Sequence, residues 1–180
     1  MKRLLIIVIV IVVLIGAFLI FIYSGTYNIS AMVPHYGVTR WVLSTVMDNS
    51  VVHHAKDIKA PNLNDSTMIQ AGFNHYRRMC AGCHGAPGRD QGEMAKSLYP
   101  RPPLLVRAVK DWNAPELFWI VKNGIKMTGM PAFGRTHTDK DIWDITAFLE
   151  KLPGLSSEQY KSMVDAANAK RIEAMNNNRN

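Results

Sequence analysis

The chain has 180 residues, enough for one compact domain with additional segments. Its 21 Lys and Arg against 14 Asp and Glu give a net charge of +7, yet no basic run of five or more residues occurs, which argues against nucleic-acid binding. Two cysteines in all exclude a disulfide framework. Much of the positive surplus lies in 66–153, with twelve basic and eight acidic residues, and suits an acidic protein partner or anionic lipid.

Met1-Lys2-Arg3 precedes an uncharged apolar run from Leu4 to Tyr23. Twenty helical residues at about 1.5 Å each reach roughly 30 Å, the hydrocarbon thickness of a bilayer. A secretory leader has an apolar region of only about 7–15 residues, and the exit Tyr23-Ser24-Gly25-Thr26 has no A-x-A-like cleavage site. Residues 1–23 therefore read as a single-pass transmembrane signal-anchor. The basic start places the N-terminus in the cytoplasm and the rest on the outer side, in the periplasm or its equivalent. Tyr23, Tyr27 and, further on, Tyr36 suit the lipid–water boundary.

Residues 24–65 read as a connector. Val38, Trp41, Val42, Thr45 and Val46 recur at helical spacing and predict a short amphipathic helix over 38–47. Such a helix either packs back on the following domain or meets a lipid surface or partner. His53-His54 looks like a metal pair, but neighbours in a helix point in different directions, so a solvated or locally bonded pair is expected. Ala60-Pro61-Asn62 marks a break.

From Ser66, capped by itself or by Asp65, a helix carrying Met68, Ile69, Gly72, Phe73 and Tyr76 leads into Cys80-Ala81-Gly82-Cys83-His84. Gly72 inside a helix costs about 1 kcal/mol relative to Ala, so a close approach by another helix is expected there. The C-x-x-C-H spacing is the attachment signature of c-type haem. Two thiols one turn apart can each form a thioether to a porphyrin vinyl group, and the adjacent imidazole falls under the iron. A dithiol redox pair would need a βαβ pattern around it, and a zinc site a second ligand pair; neither is present. One such motif implies one covalent haem c.

Residues 85–114 are rich in Pro and Gly and predict a loop with a few short helices. A ligand imidazole usually has its other nitrogen held by a carbonyl, and in Pro100-Arg101-Pro102-Pro103 either Pro102 or Pro103 could supply it. A helix follows from Pro115 to Asn123, closed by Gly124. Met127 and Met130 then compete as a soft sixth ligand to iron. Met130, between Gly129 and Pro131, can lie flat against a haem face, leaving Met127 as core filler. Asp139 to Leu152 forms a helix with Ile142, Ile145, Phe148, Leu149 and Leu152 on one face, crossing the first at Gly72 with Trp143 or Phe148 against Tyr76. Pro153-Gly154 stops it. Ser156 and Gln159 cap a final helix over about 157–174, and Asn176 to Asn180 read as a disordered end.

The series Gly72, Tyr76, Cys80-x-x-Cys83-His84, a proline loop, Met130-Pro131-Ala132-Phe133 and a closing aromatic helix resembles the class I (mitochondrial-type) monohaem c cytochromes of bacteria, over about residues 66–153. The resemblance implies an all-α fold: a transmembrane helix, then three to five helices around a covalent haem. It implies thioethers at Cys80 and Cys83 and iron ligands His84 and Met130. The expected function is one-electron transfer, not enzymatic turnover of a small-molecule substrate. Expected partners are a quinol-oxidising complex or dehydrogenase as donor and a terminal oxidase as acceptor. Lys110, Lys122, Lys126 and Arg101 would ring the haem edge. The alternatives are a haem sensor or a haem enzyme subunit in which Met130 leaves the iron, with His137 as the candidate distal group.

Overall fold

The computed structural model describes residues 1–177. They are helical throughout, with no strand among them beyond an isolated bridge between Ala86 and Arg89. The chain divides into two units, Met1–Pro34 and the remainder from His35. The last residues of the Asn-rich end, 178–180, lie outside the described residues, whereas Asn176 and Asn177 are helical.

The first unit is built on α1, Lys2–Tyr23, whose 22 residues have a mean hydropathy of 3.7 and bury no side chain. Among the described residues it is the one helix long and apolar enough to cross a membrane. Its end is fixed by the Ser24 hydroxyl, which donates to the Phe21 carbonyl at 2.8 Å, and by Gly25 at φ +67°.

The second unit opens with α2, Gly37–Ala55, twice as long as the periodicity over 38–47 suggests. The difference has a physical origin. Val38, Trp41, Val42 and Val46, which announced the helix, are on its exposed side. A second set at i, i+4, i+8 and i+12 (Leu43, Met47, Val51, Ala55) faces inward, with Val51 and Ala55 buried. This inward face packs α2 against α7, Ala114–Asn123. His54 stacks on Trp119 with ring centres 5.7 Å apart, a local contact in place of a metal pair.

α3, Ser66–His75, is capped by Asp65, whose carboxylate accepts the Thr67 amide at 2.7 Å. A π-helical turn, Tyr76–Cys80, passes it into α4, Ala81–His84. Short helices α5 (Glu93–Ser97) and α6 (Leu105–Ala108) interrupt the loop. α7 carries a capping box between Asn113 and Glu116 and ends on Gly124 at φ +65°. α8, Asp139–Lys151, has its own capping box between Thr138 and Asp141. α9, Ser157–Asn177, begins where the Gln159 side chain accepts the Ser156 amide at 2.8 Å.

The core is the crossing of α3 and α8. Ile142, Ile145, Phe148, Leu149 and Leu152 are all buried, as their spacing requires. Phe148, not Trp143, meets Tyr76, at 5.1 Å between ring centres; Trp143 stacks on Phe118 at 4.1 Å. Each fully buried aromatic side chain contributes roughly 1.5–3 kcal/mol. Tyr160 of α9 seals the outer side, 5.7 Å from Phe73.

Gly72 is the contact point of the crossing. A Cβ there would overlap the Asp144 carbonyl oxygen and lie 2.9 Å from the Phe148 Cβ. Both neighbours belong to a packed helix, so neither can yield. Gly72→Ala is expected to destabilise the domain by about 3 kcal/mol, the upper range for overpacking, which chemical denaturation of the haem-loaded protein measures directly.

Candidate functional site

The five residues from Cys80 to His84 sit where α3 ends, held from behind by the core. The Tyr76 hydroxyl donates to the Gly85 carbonyl at 2.6 Å, tying the start of the π turn to the residue after the motif. Gly85 itself stands at φ +69°, a conformation that lets the chain turn sharply away from His84.

That turn opens onto an apolar cavity of about 450 Å³. Cys80, Cys83, His84 and Met130 all line it. So do Leu117, Ile120 and Val121 of α7 and Ile145 and Leu149 of α8. Among the described residues Arg101 is the one charged side chain on its wall. A flat, largely apolar macrocycle with acidic groups at one edge matches such a lining, so the residues present fit a haem.

The polar contacts favour the same group. His84 Nδ1 lies 2.8 Å from the Pro103 carbonyl oxygen. A carbonyl can only accept, so Nδ1 carries the proton and Nε2 keeps its lone pair for a metal. Burial holds the His84 imidazole below its usual pKa, against the opposing pull of the Pro103 hydrogen bond, which keeps the ring neutral near pH 7. Burial, and secondarily Cys83, pushes the Cys80 thiol up to about 12. Such a thiol stays protonated at physiological pH and is a poor redox thiolate. Among the described residues no cluster of three or more His, Cys, Asp or Glu could hold a metal ion.

The proline loop divides its work between two neighbours. Pro103 meets His84, whereas the Pro102 carbonyl accepts from Gln91 Nε2 at 2.6 Å. The same nitrogen donates to the Cys83 carbonyl at 2.9 Å, and Gln91 Oε1 accepts from Arg101 Nε at 2.9 Å. Gln91 therefore clasps the motif to the loop that orients its histidine. Nothing in the pattern around Gln91 marks it in the sequence, because two of its three partners are backbone carbonyls.

The Met130 segment is shaped by its own hydroxyl and glycines. Thr128 Oγ1 accepts the Met130 amide at 3.1 Å and donates to the Ile125 carbonyl at 2.8 Å. A Cβ at Gly124 would come within 2.7 Å of the Met130 carbonyl oxygen, so the chain crosses itself there only because residue 124 is glycine. Met127 is not core filler: it sits at φ +60° at the tip of this turn and is 77% exposed. The turn needs a left-handed residue at that position, and the side chain is carried outward.

Of the four cations expected around the edge, Lys110 and Lys126 are exposed. Lys122 is paired with Asp139 at 2.6 Å, and Arg101 is bound to Gln91. His137 lies outside the cavity lining, 5.7 Å from Phe133 and 5.4 Å from His75 between ring centres. Met47 of α2 is an unforeseen member of the wall. Its place after Leu43 and before Val51, at intervals of four, is the signal that could have found it.

Residues 67–149 match the family model described as cytochrome c oxidase, cbb3-type, subunit III. A search of curated proteins finds no match to the chain. The matched stretch starts just inside α3 and stops just short of the end of α8, so it coincides with the crossed helices and the loops that close the cavity between them. Residues 67–149 thus match a c-type cytochrome domain, which supports a haem-based electron carrier.

Proposed function

We propose that this protein is a one-electron carrier of a membrane respiratory chain, working through a single covalent haem c ligated by His84 and Met130. The observation that carries the reading is the His84–Pro103 hydrogen bond, which aims a neutral Nε2 from the wall that also bears Cys80, Cys83 and Met130. Haem c bound here would supply an iron that alternates between Fe(III) and Fe(II).

The chain's own residues do the rest. Cys80 and Cys83 anchor the porphyrin as thioethers, a form in which buried sulfur needs no charge. His84 is fixed in one tautomer by Pro103, and Gln91 holds the loop that carries that carbonyl. Met130 offers a thioether, a soft neutral ligand that favours the reduced iron and raises the potential. The apolar walls exclude water, so the charge change on the iron meets little solvent reorganisation. Arg101 is the cation available on the wall for a propionate.

The family description speaks of a terminal-oxidase subunit, which supports either a tethered cytochrome or the cytochrome subunit of a respiratory complex. Electrons would arrive from a quinol-oxidising complex or dehydrogenase and leave to a terminal oxidase. α1 would be retained as a single-pass anchor, with the haem domain on the periplasmic side of the bacterial inner membrane.

An optical redox titration of the detergent-solubilised protein, repeated under carbon monoxide, tests the reading. A potential above that of quinol, a methionine–iron charge-transfer band and no response to carbon monoxide are expected; a reduced spectrum that shifts with carbon monoxide would remove Met130 from the iron. In Met130→Ala the potential should fall and the reduced protein should bind carbon monoxide, with denaturation checking that the fold survives. Gln91→Leu leaves the Cys83 and Pro102 carbonyls without their donor and is expected to lose roughly 1–3 kcal/mol of stability, read from a denaturant midpoint.

A further inference from the structure

Among the described residues of the second unit, the largest set of exposed apolar side chains at helical spacing lies on the outer face of α2; α9 exposes only Ile172 and Met175. Val38, Trp41, Val42 and Val46 are 67%, 66%, 43% and 61% exposed, at spacings of three and four that place them on one side of the helix. The opposite side is committed to the domain through Met47, which lines the cavity, and through buried Val51 and Ala55. A helix with a purely structural role would present polar residues outward.

Three features say what covers this face. The stripe belongs to the end of α2 nearest α1 in sequence, beyond a connector of Ser24 to Tyr36 that can extend over at most about 45 Å. Arg40 is the one Lys, Arg, Asp or Glu between Tyr23 and Asp48, so the segment carries no acidic group that anionic headgroups would repel. Trp41 is the residue type that favours the lipid–water boundary. A chain anchored by α1 holds α2 at high effective concentration next to its bilayer, so even weak interfacial affinity suffices.

We propose that α2 is an in-plane membrane helix. It rests its Val38, Trp41, Val42 and Val46 face on the phospholipid headgroup–acyl boundary and carries the cytochrome domain on its other face. The haem cavity, whose wall includes Met47, would then be held against the bilayer surface instead of swinging on a free tether. The proposal rests on α1 being retained in the membrane.

The test uses the full haem-loaded chain in vesicles of phosphatidylcholine and phosphatidylglycerol. A photoreactive benzoylphenylalanine is placed in turn at Trp41, Val42 and Val46, with Ser44 on the flank of α2 and Lys110 on the cytochrome domain as controls, and adducts are identified by mass. Lipid adducts several-fold more abundant at 41, 42 and 46 than at 44 and 110 are expected. Equal yields at all positions, or cross-links at 41, 42 and 46 to a second copy of the chain, would overturn the proposal. So would cross-links there to another protein, in place of lipid, when the experiment is repeated in native membranes. The same probe at Val12 of α1 separates the two readings: lipid adducts at 12 without any at 42 leave the anchor standing and remove the in-plane helix. The haem spectrum of each variant checks that the domain has folded.

Discussion

The contact between Gly72 of α3 and the Asp144 carbonyl of α8 is the constraint on which the rest of the second unit depends. Two helices can approach this closely only where one of them has no side chain at the crossing. The approach brings Phe73, Tyr76 and Phe148 into one aromatic cluster with no solvent-exposed member. It also decides where α3 ends. The π turn from Tyr76 to Cys80 widens the helix beside the cluster and sends Cys80, Cys83 and His84 to a single cavity wall. Moving the helices apart would displace His84 and the end of the motif with them.

Around that fixed wall, the other parts of the site are held by backbone chemistry. The imidazole of His84 is oriented by a proline carbonyl and the proline loop by the amide of Gln91. The Met130 segment is folded by the Thr128 hydroxyl and threaded past Gly124. None of these contacts depends on a charged pair. That arrangement leaves the cavity wall largely apolar, with Arg101 as its one charged side chain among the described residues. Two ion pairs involve α8, Lys122 with Asp139 and Lys140 with the buried Asp144.

The unit extends beyond the stretch that matches the family model. α2, ahead of it, supplies Met47 to the cavity and stacks His54 on Trp119; α9, after it, closes the core with Tyr160. The domain is therefore embraced at both ends by helices that the compact cytochrome pattern does not contain.

Local chemistry made much of this legible in the sequence. The C-x-x-C-H spacing, the cap at Asp65, the stop at Gly124 and the five-residue stripe of α8 are each determined within a turn or two of chain, so they can be read in one dimension. Gly72 was legible for the same reason, as a helix position whose cost demands a close neighbour. What only tertiary structure decided are matters of partnership between distant segments: that Pro103 and not Pro102 meets His84, that Phe148 and not Trp143 meets Tyr76, and that Gln91 is the clasp. The same holds for the length of α2, whose inward residues look unremarkable until α7 is placed against them, and for Met127, turned outward by a backbone that the crossing at Gly124 imposes. Helix periodicity records that a face is apolar; only the packed molecule records what that face touches.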